Sequence, residues 1–154
     1  MSEVEVQEYQ TILIAIDGSN ESDVAFKKAL NVAKRNHATL IITHIVDTRA
    51  FQSINSFDGT LADEANQTAN RILDEHVTKA TAFGIDNVKK IVEFGSPKLL
   101  IASQIPKKEN VDLIMLGATG LNTIERLLIG SVSEYVIRHA TCDVLIVKND
   151  STID

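Results

Sequence analysis

Five short runs of mainly aliphatic residues constrain this chain more than any other feature of its sequence. They comprise residues 11–16, 39–46, 88–94, 111–116 and 142–147. Most of these runs are apolar at odd and even positions alike, so both faces of each strand must be covered, which is typical of a buried parallel sheet. The run 88–94 is mixed and carries Lys89 and Lys90, as an edge strand does.

Helical patterns separate the runs. The helices are expected to begin at Ser19 or Asn20, to span about residues 60–83, to begin at Ser96-Pro97, and to span Ser131–Arg138. Gly84 follows the second pattern where a left-handed residue often ends a helix. Strands that alternate with helices predict right-handed crossovers and an α/β fold, an open five-stranded parallel sheet with helices on both faces.

One domain accounts for the whole length. The 154 residues contain no linker, repeat or low-complexity tract, so residues 1–154 are expected to form a single domain. The polar stretch 47–59 holds Phe51 and Phe57 and is long for a connection, which makes it a candidate lid.

Charge and composition exclude several classes of partner. The formal net charge is −6, whereas nonspecific binding to nucleic acid or to an anionic membrane needs a basic face. No apolar stretch reaches the roughly 18 residues of a membrane span. The acidic start of the chain is not a secretory signal, and a single cysteine, Cys142, allows no internal disulfide. A cytoplasmic location is therefore expected.

Glycines mark the loop after the fourth run. Gly117 and Gly120 are followed, nine residues later, by Gly130-Ser131 at the start of a helix. In open α/β sheets, ligands bind outside the carboxyl ends of the strands. Glycines let the backbone approach a phosphate closely, and a helix start offers unpaired N–H groups. The pattern therefore predicts an anion cradle that needs no lysine.

Asp17 follows the first run, at the same edge of the predicted sheet. A carboxylate that faces a phosphate cradle can hold Mg²⁺ or accept a hydrogen bond from a ribose hydroxyl. Asp17 is thus predicted both as a nucleotide-binding residue and as a metal ligand.

Together these features resemble the ATP-binding branch of the universal stress protein family. The resemblance extends from Ile12 to Lys148 and includes Asp17, the spaced glycines and residues 125–140 around Gly130-Ser131. It implies the strand order 3-2-1-4-5, bound ATP with Mg²⁺, and a homodimer that pairs through the last strand. The residues that it assigns to ATP are Asp17, Ile45, Leu116, Gly117, Gly120, Gly130, Ser131 and Val132, with Ile45 and Leu116 beside the adenine.

The chain departs from the family within the first glycine pair. Family members often carry His or Arg there, whereas this chain has Ala118 and Thr119. A cationic contact is thereby lost, and Arg126 is a candidate to replace it. The departure also supports an alternative, a dimeric interaction module whose nucleotide site is vestigial.

No catalytic constellation is evident. The P-loop signature is absent, and neither His44, His139 nor Cys142 has partners at catalytic or metal-ligand spacing. Core or surface roles are predicted for both histidines and a buried, structural role for the thiol. Binding with at most slow hydrolysis is expected; a slow ATPase or adenylate-transferring enzyme is the enzymatic alternative. A flavin or phospho-receiver domain is a weaker alternative, since receivers need clustered acids and Asp17 stands alone.

Overall fold

The five runs form one parallel sheet. A computed structural model describes residues 4–51, 59–118 and 129–149. Its strands are β1 (Thr11–Ala15), β2 (Thr39–Asp47), β3 (Val88–Gly95), β4 (Leu113–Gly117) and β5 (Asp143–Val147). The strand order is β3-β2-β1-β4-β5, and each pairing is parallel. The fold class and strand order expected from the sequence are confirmed.

Helices cover both faces of this sheet. They are α1 (Asn20–Asn36), a 3₁₀ turn (Thr48–Phe51), α2 (Gly59–Phe83), α3 (Pro97–Leu99), a π-helical segment (Leu100–Gln104), α4 (Ile105–Glu109) and α5 (Ser131–His139). Even-numbered residues of β1, such as Ile12 and Ile14, pack with α1 and α2. The odd-numbered Leu13 packs with the π-helical segment, α4 and α5. This two-sided burial explains why the strands are apolar at successive positions.

Caps fix where the helices begin and end. The hydroxyl of Ser19 accepts a hydrogen bond from the N–H of Ser22 at 3.1 Å, so Ser19 is the N-cap of α1. Gly84 has a φ of 104°, as predicted for the residue beyond α2. The predicted start of α3 is also confirmed, since Ser96 caps it and Pro97 is its first residue.

Pro106 accounts for the irregular helix between β3 and β4. Proline lacks an N–H and crowds the carbonyl four residues earlier. Just before it, the N–H of Ile105 bonds to the carbonyl of Leu100, five residues back. The wider turn accommodates the proline, and it contains Ile101, which is buried against the sheet.

Two predicted features differ from the structure or lie outside it. The fourth strand begins at Leu113 rather than at residue 111, because the N–H of Val111 instead bonds to the carbonyl of Pro106 at 3.0 Å, at the end of α4. Most of the proposed lid, with Phe57, lies outside the described residues, as does the side chain of Phe51. In the described ranges, no helix is long and apolar enough to cross a membrane.

Candidate functional site

A cleft of about 350 Å³ opens at the carboxyl edge of the sheet. It is bounded by the ends of β1, β2 and β4 and by the starts of α1, α3 and α5. It brings together seven of the eight residues predicted for the site, namely Asp17, Ile45, Leu116, Gly117, Gly130, Ser131 and Val132. The eighth, Gly120, lies outside the described residues.

One wall of the cleft is aliphatic. Leu116 and Ile101 are 5% and 4% exposed, and Ile45 and Val132 pack against the same cluster. All four side chains line the cleft. Such a surface favours an uncharged planar group, because contact removes apolar area from water on both sides.

Asp17 lines the same cleft, in a tight turn just before α1. Gly18 has a φ of 84°, which a residue without Cβ adopts without strain. The Oδ1 atom of Asp17 accepts the N–H of Ser19 at 2.9 Å and its hydroxyl at 2.5 Å. No hydrogen bond from a described residue reaches Oδ2. One carboxylate oxygen is therefore structural, and the other can accept from a ligand or bind a cation.

The start of α5 supplies hydrogen-bond donors. Its N-cap is Gly130, which has no side chain to cap the helix, and the first helical bond runs from Glu134 N to Gly130 O at 2.9 Å. The N–H groups of Ser131, Val132 and Ser133 have no partner among the described residues. Unpaired N–H groups at a helix N-terminus bind anions well.

Gly130 contributes to this cradle mainly by lacking a side chain. Its own N–H is already bonded to the carbonyl of Ala118 at 2.6 Å, so it is not available to a ligand. The carbonyl of Gly117 in turn accepts the hydroxyl of Ser133 at 2.8 Å, which ties α5 to the end of β4. The cradle is thus anchored to the sheet.

Gly117 is where α1 approaches β4 most closely. A Cβ atom there would lie 2.8 Å from the backbone oxygen of Glu21 and 2.9 Å from its carbonyl carbon. Since Glu21 belongs to the first turn of α1, the absence of a side chain at Gly117 lets the N-terminal ends of α1 and α5 converge on the cleft.

An ion pair from the end of β2 completes the lining. Arg49 donates to Asp47 through Nε, at 3.0 and 3.2 Å from the two carboxylate oxygens, and through Nη2 at 2.6 Å. These hydrogen bonds hold the pKa of Asp47 below its ordinary value. Of the described residues that line the cleft, Arg49 is the one with a permanent positive charge. The sequence suggested Arg126 for that role, and Arg126 lies outside the described residues.

Replacing Arg49 with glutamine is expected to raise the pKa of Asp47 towards the ordinary aspartate value of about 3.9. Because the pKa is lowered in the folded protein, ionised Asp47 stabilises the fold above the unfolded pKa. That contribution is lost as pH falls through the lower, folded pKa. Arg49 is largely exposed, so solvent screens the pair and the change in stability should be small.

Carboxyl chemical shifts in an NMR pH titration measure this change directly. Arg35→Gln, which makes the same chemical change at an exposed position near the far end of α1, is the control and should leave Asp47 unaffected. An unchanged Asp47 titration in Arg49→Gln would contradict the assignment.

The structure also places residues in the cleft that the sequence did not indicate. His44, predicted to have a core or surface role, lines the cleft, as do Ser22, Pro97 and Ser133. The rule that selected the loops after each strand could have found Pro97, which follows β3. Cys142 is only half-buried, yet burial raises the pKa of its thiol, as do the carboxylates of Asp143 and Asp112. This agrees with an unreactive thiol.

Comparisons with a family model, with related sequences and with solved structures all indicate the same family. The model of the universal stress protein family matches residues 8–148. A Staphylococcus haemolyticus protein that carries the universal stress protein name is 44% identical over 142 residues, covering 92% of this chain and 86% of that protein. Universal stress protein UspA from Lactobacillus plantarum is 30% identical, with a TM-score of 0.80 over 92% of this chain and 99% of that one.

A further solved structure is a universal stress protein in complex with cAMP. It is 29% identical, with a TM-score of 0.71, and the match covers 92% of this chain and 98% of that one. The family model spans nearly all of the sheet and helices described above, and the relatives share the chain almost from end to end. This chain belongs to the universal stress protein family.

Proposed function

We propose that this protein binds ATP with Mg²⁺ in the cleft and acts as a regulatory homodimer in a stress response. One observation carries the proposal: Ser131, Val132 and Ser133, whose N–H groups have no partner among the described residues, line the same cleft as Asp17, beside an aliphatic wall. A nucleotide needs these three surfaces together, for its phosphates, its ribose or metal, and its base.

The wall and the cradle suit different parts of the nucleotide, and the proposal places each part accordingly. Adenine lies between Ile45 and Leu116, and the phosphates lie on the N–H groups of Ser131 and Val132. Gly117, Gly120 and Gly130 leave room for the ribose and the phosphates. The related protein in complex with cAMP supports an adenine nucleotide as the class of ligand.

Charge in the cleft supports a metal ion with the phosphates. Of the described residues that line it, Asp17 and Asp47 are carboxylates and Arg49 is the single arginine. A polyphosphate that binds in this cleft needs additional positive charge. Mg²⁺ is commonly bound by one or two carboxylates together with substrate phosphates, and Oδ2 of Asp17 is suitably open. When bound, the ion would neutralise part of the phosphate charge.

The dimer is expected to form through β5. Among the described strands, β5 pairs only with β4, and its residues Val144, Leu145 and Ile146 are only partly buried. An apolar edge strand favours pairing with another chain. Dimerisation and a cytoplasmic location belong to the same proposal.

Isothermal titration with ATP, with and without Mg²⁺, tests the site. Wild-type protein should bind ATP more tightly when Mg²⁺ is present. In Asp17→Asn the Mg²⁺ enhancement should fall about tenfold or more, because a charge-assisted contact to the metal is lost. The asparagine oxygen can still accept from Ser19, so the turn should persist.

Three results would change the proposal. Wild type that binds no ATP under either condition would favour the interaction module with a vestigial site. Measurable ATP turnover that disappears in Asp17→Asn while ATP binding persists would favour the slow ATPase instead. An unchanged Mg²⁺ enhancement in Asp17→Asn would exclude Asp17 as the metal ligand.

A further inference from the structure

We infer that His44 is a further ligand-binding residue, whose Nε2 atom accepts a hydrogen bond from an O–H or N–H group of the nucleotide. This inference rests on the proposed function, and it adds a specific recognition contact to it. The contact recognises the nucleoside part of the ligand rather than its phosphates.

The first step is the protonation state of the ring. Nδ1 of His44 lies 2.7 Å from the carbonyl oxygen of Ile16. A carbonyl oxygen only accepts, so Nδ1 carries the proton. In the neutral imidazole the other nitrogen, Nε2, is then a hydrogen-bond acceptor.

The second step is that Nε2 is open. No hydrogen bond from a described residue reaches the Nε2 atom of His44. In the described ranges, only one side-chain polar atom is both buried and without a partner, and that atom is Nε2 of His76, between α1 and α2. The unpartnered Nε2 of His44 is therefore not buried. His44 lines the cleft, and Nε2 is the ring nitrogen that remains to accept from a ligand.

The third step is the distribution of donors and acceptors around the cleft. The α5 side presents N–H groups, which suit phosphate oxygens. The β1 and β2 side presents acceptors, Oδ2 of Asp17 and Nε2 of His44. Phosphates cannot donate when ionised, whereas the ribose hydroxyls and the adenine amino group can. The acceptor side therefore suits the nucleoside.

Two substitutions separate the roles of the two ring nitrogens. In His44→Asn the amide N–H₂ can take the place of Nδ1 and keep the bond to Ile16, while the acceptor at Nε2 is lost. In His44→Gln the longer side chain can bring an amide oxygen to the Nε2 position. We expect ATP affinity to fall about tenfold in His44→Asn and to be partly restored in His44→Gln.

Titration with ATP, 2′-deoxyATP, 3′-deoxyATP and ITP in the presence of Mg²⁺ identifies the donor. The analogue that lacks the contacted group should bind wild type more weakly than ATP, and it should lose no further affinity in His44→Asn. A deoxy analogue with this behaviour assigns the contact to a ribose hydroxyl, and ITP with this behaviour assigns it to the adenine amino group.

Two outcomes overturn the inference while leaving ATP binding intact. In the first, His44→Asn binds all four nucleotides as tightly as wild type. In the second, its affinity falls by the same factor for all four, which would mean that His44 only holds the segment before Asp17. Thermal unfolding of each variant checks the fold. If wild type binds ATP, the proposed function stands whichever outcome is found; if it does not, both fail.

Discussion

Gly130→Asp is expected to weaken ATP binding about 100-fold while leaving the protein at least as stable. The new carboxylate would sit at the start of α5, beside the N–H groups proposed to hold the phosphates. Two like charges about 5 Å apart repel by about 3 kcal/mol at an effective dielectric constant of 20, which corresponds to about 100-fold in affinity.

The fold should tolerate this change because Gly130 has a φ of −82° and a ψ of 170°, which any residue adopts. Aspartate is also among the preferred N-cap residues. Gly130→Asn is the matched control, since it has nearly the same shape and capping ability without the charge. Titration calorimetry gives the affinities, and urea unfolding gives the stabilities.

Comparison of the two variants separates charge from size. A much larger loss in Gly130→Asp than in Gly130→Asn places the phosphates at α5, because Gly130→Asn measures the cost of the side chain and of its cap on the N–H groups. Equal loss in both would indicate a steric effect of any side chain. Wild-type affinity in Gly130→Asp would show that the phosphates do not lie at this helix.

Gly117→Ala is expected to destabilise the protein by about 3 kcal/mol, the upper part of the range for overpacked sites. The added methyl group would lie 2.8 Å from the backbone oxygen of Glu21, and a backbone atom cannot turn aside as the end of a side chain can. The first turn of α1 must therefore move away from β4. Because that turn carries Ser22 and the cap next to Asp17, ATP affinity should also fall.

Gly59→Ala is the control for the loss of a glycine. A Cβ atom at Gly59 would have nothing within 4 Å, and its φ is not in the left-handed range. Alanine there should be neutral or stabilising by up to about 1 kcal/mol. Urea unfolding of both variants measures the difference, and similar stabilities for both would refute the close-approach explanation.

The sheet was predictable from the sequence because its signals are local. Aliphatic runs that are apolar on both faces require cover on both faces, and the strand order then followed from the family resemblance. Gly117 likewise marks the end of a strand and Gly130-Ser131 the start of a helix, and a parallel sheet brings both to the same edge. Asp17 joins them for the same reason.

The contacts missed in the sequence leave no periodic pattern in it. His44 is oriented by a carbonyl 28 residues earlier in the chain, and no spacing pattern records that bond. The π-helical segment that contains Ile101 arises from Pro106, whose effect falls on the preceding turn. Arg49 is positioned by Asp47, two residues away. In the sequence, this pair looks the same as two ordinary surface charges.

A two-bond connection links the cleft to the edge of the sheet. Ala118 donates its N–H to the carbonyl of Val147, the last residue of β5, at 3.1 Å, and its own carbonyl accepts the N–H of Gly130. Under the proposed function, a ligand held at α5 and a second copy paired along β5 therefore act on adjoining peptide groups. Any free energy of coupling between them is reciprocal: if ATP tightens the dimer by some factor, dimerisation must tighten ATP binding by the same factor. ATP affinity would then depend on protein concentration, so that the abundance of the protein itself sets how much nucleotide it detects.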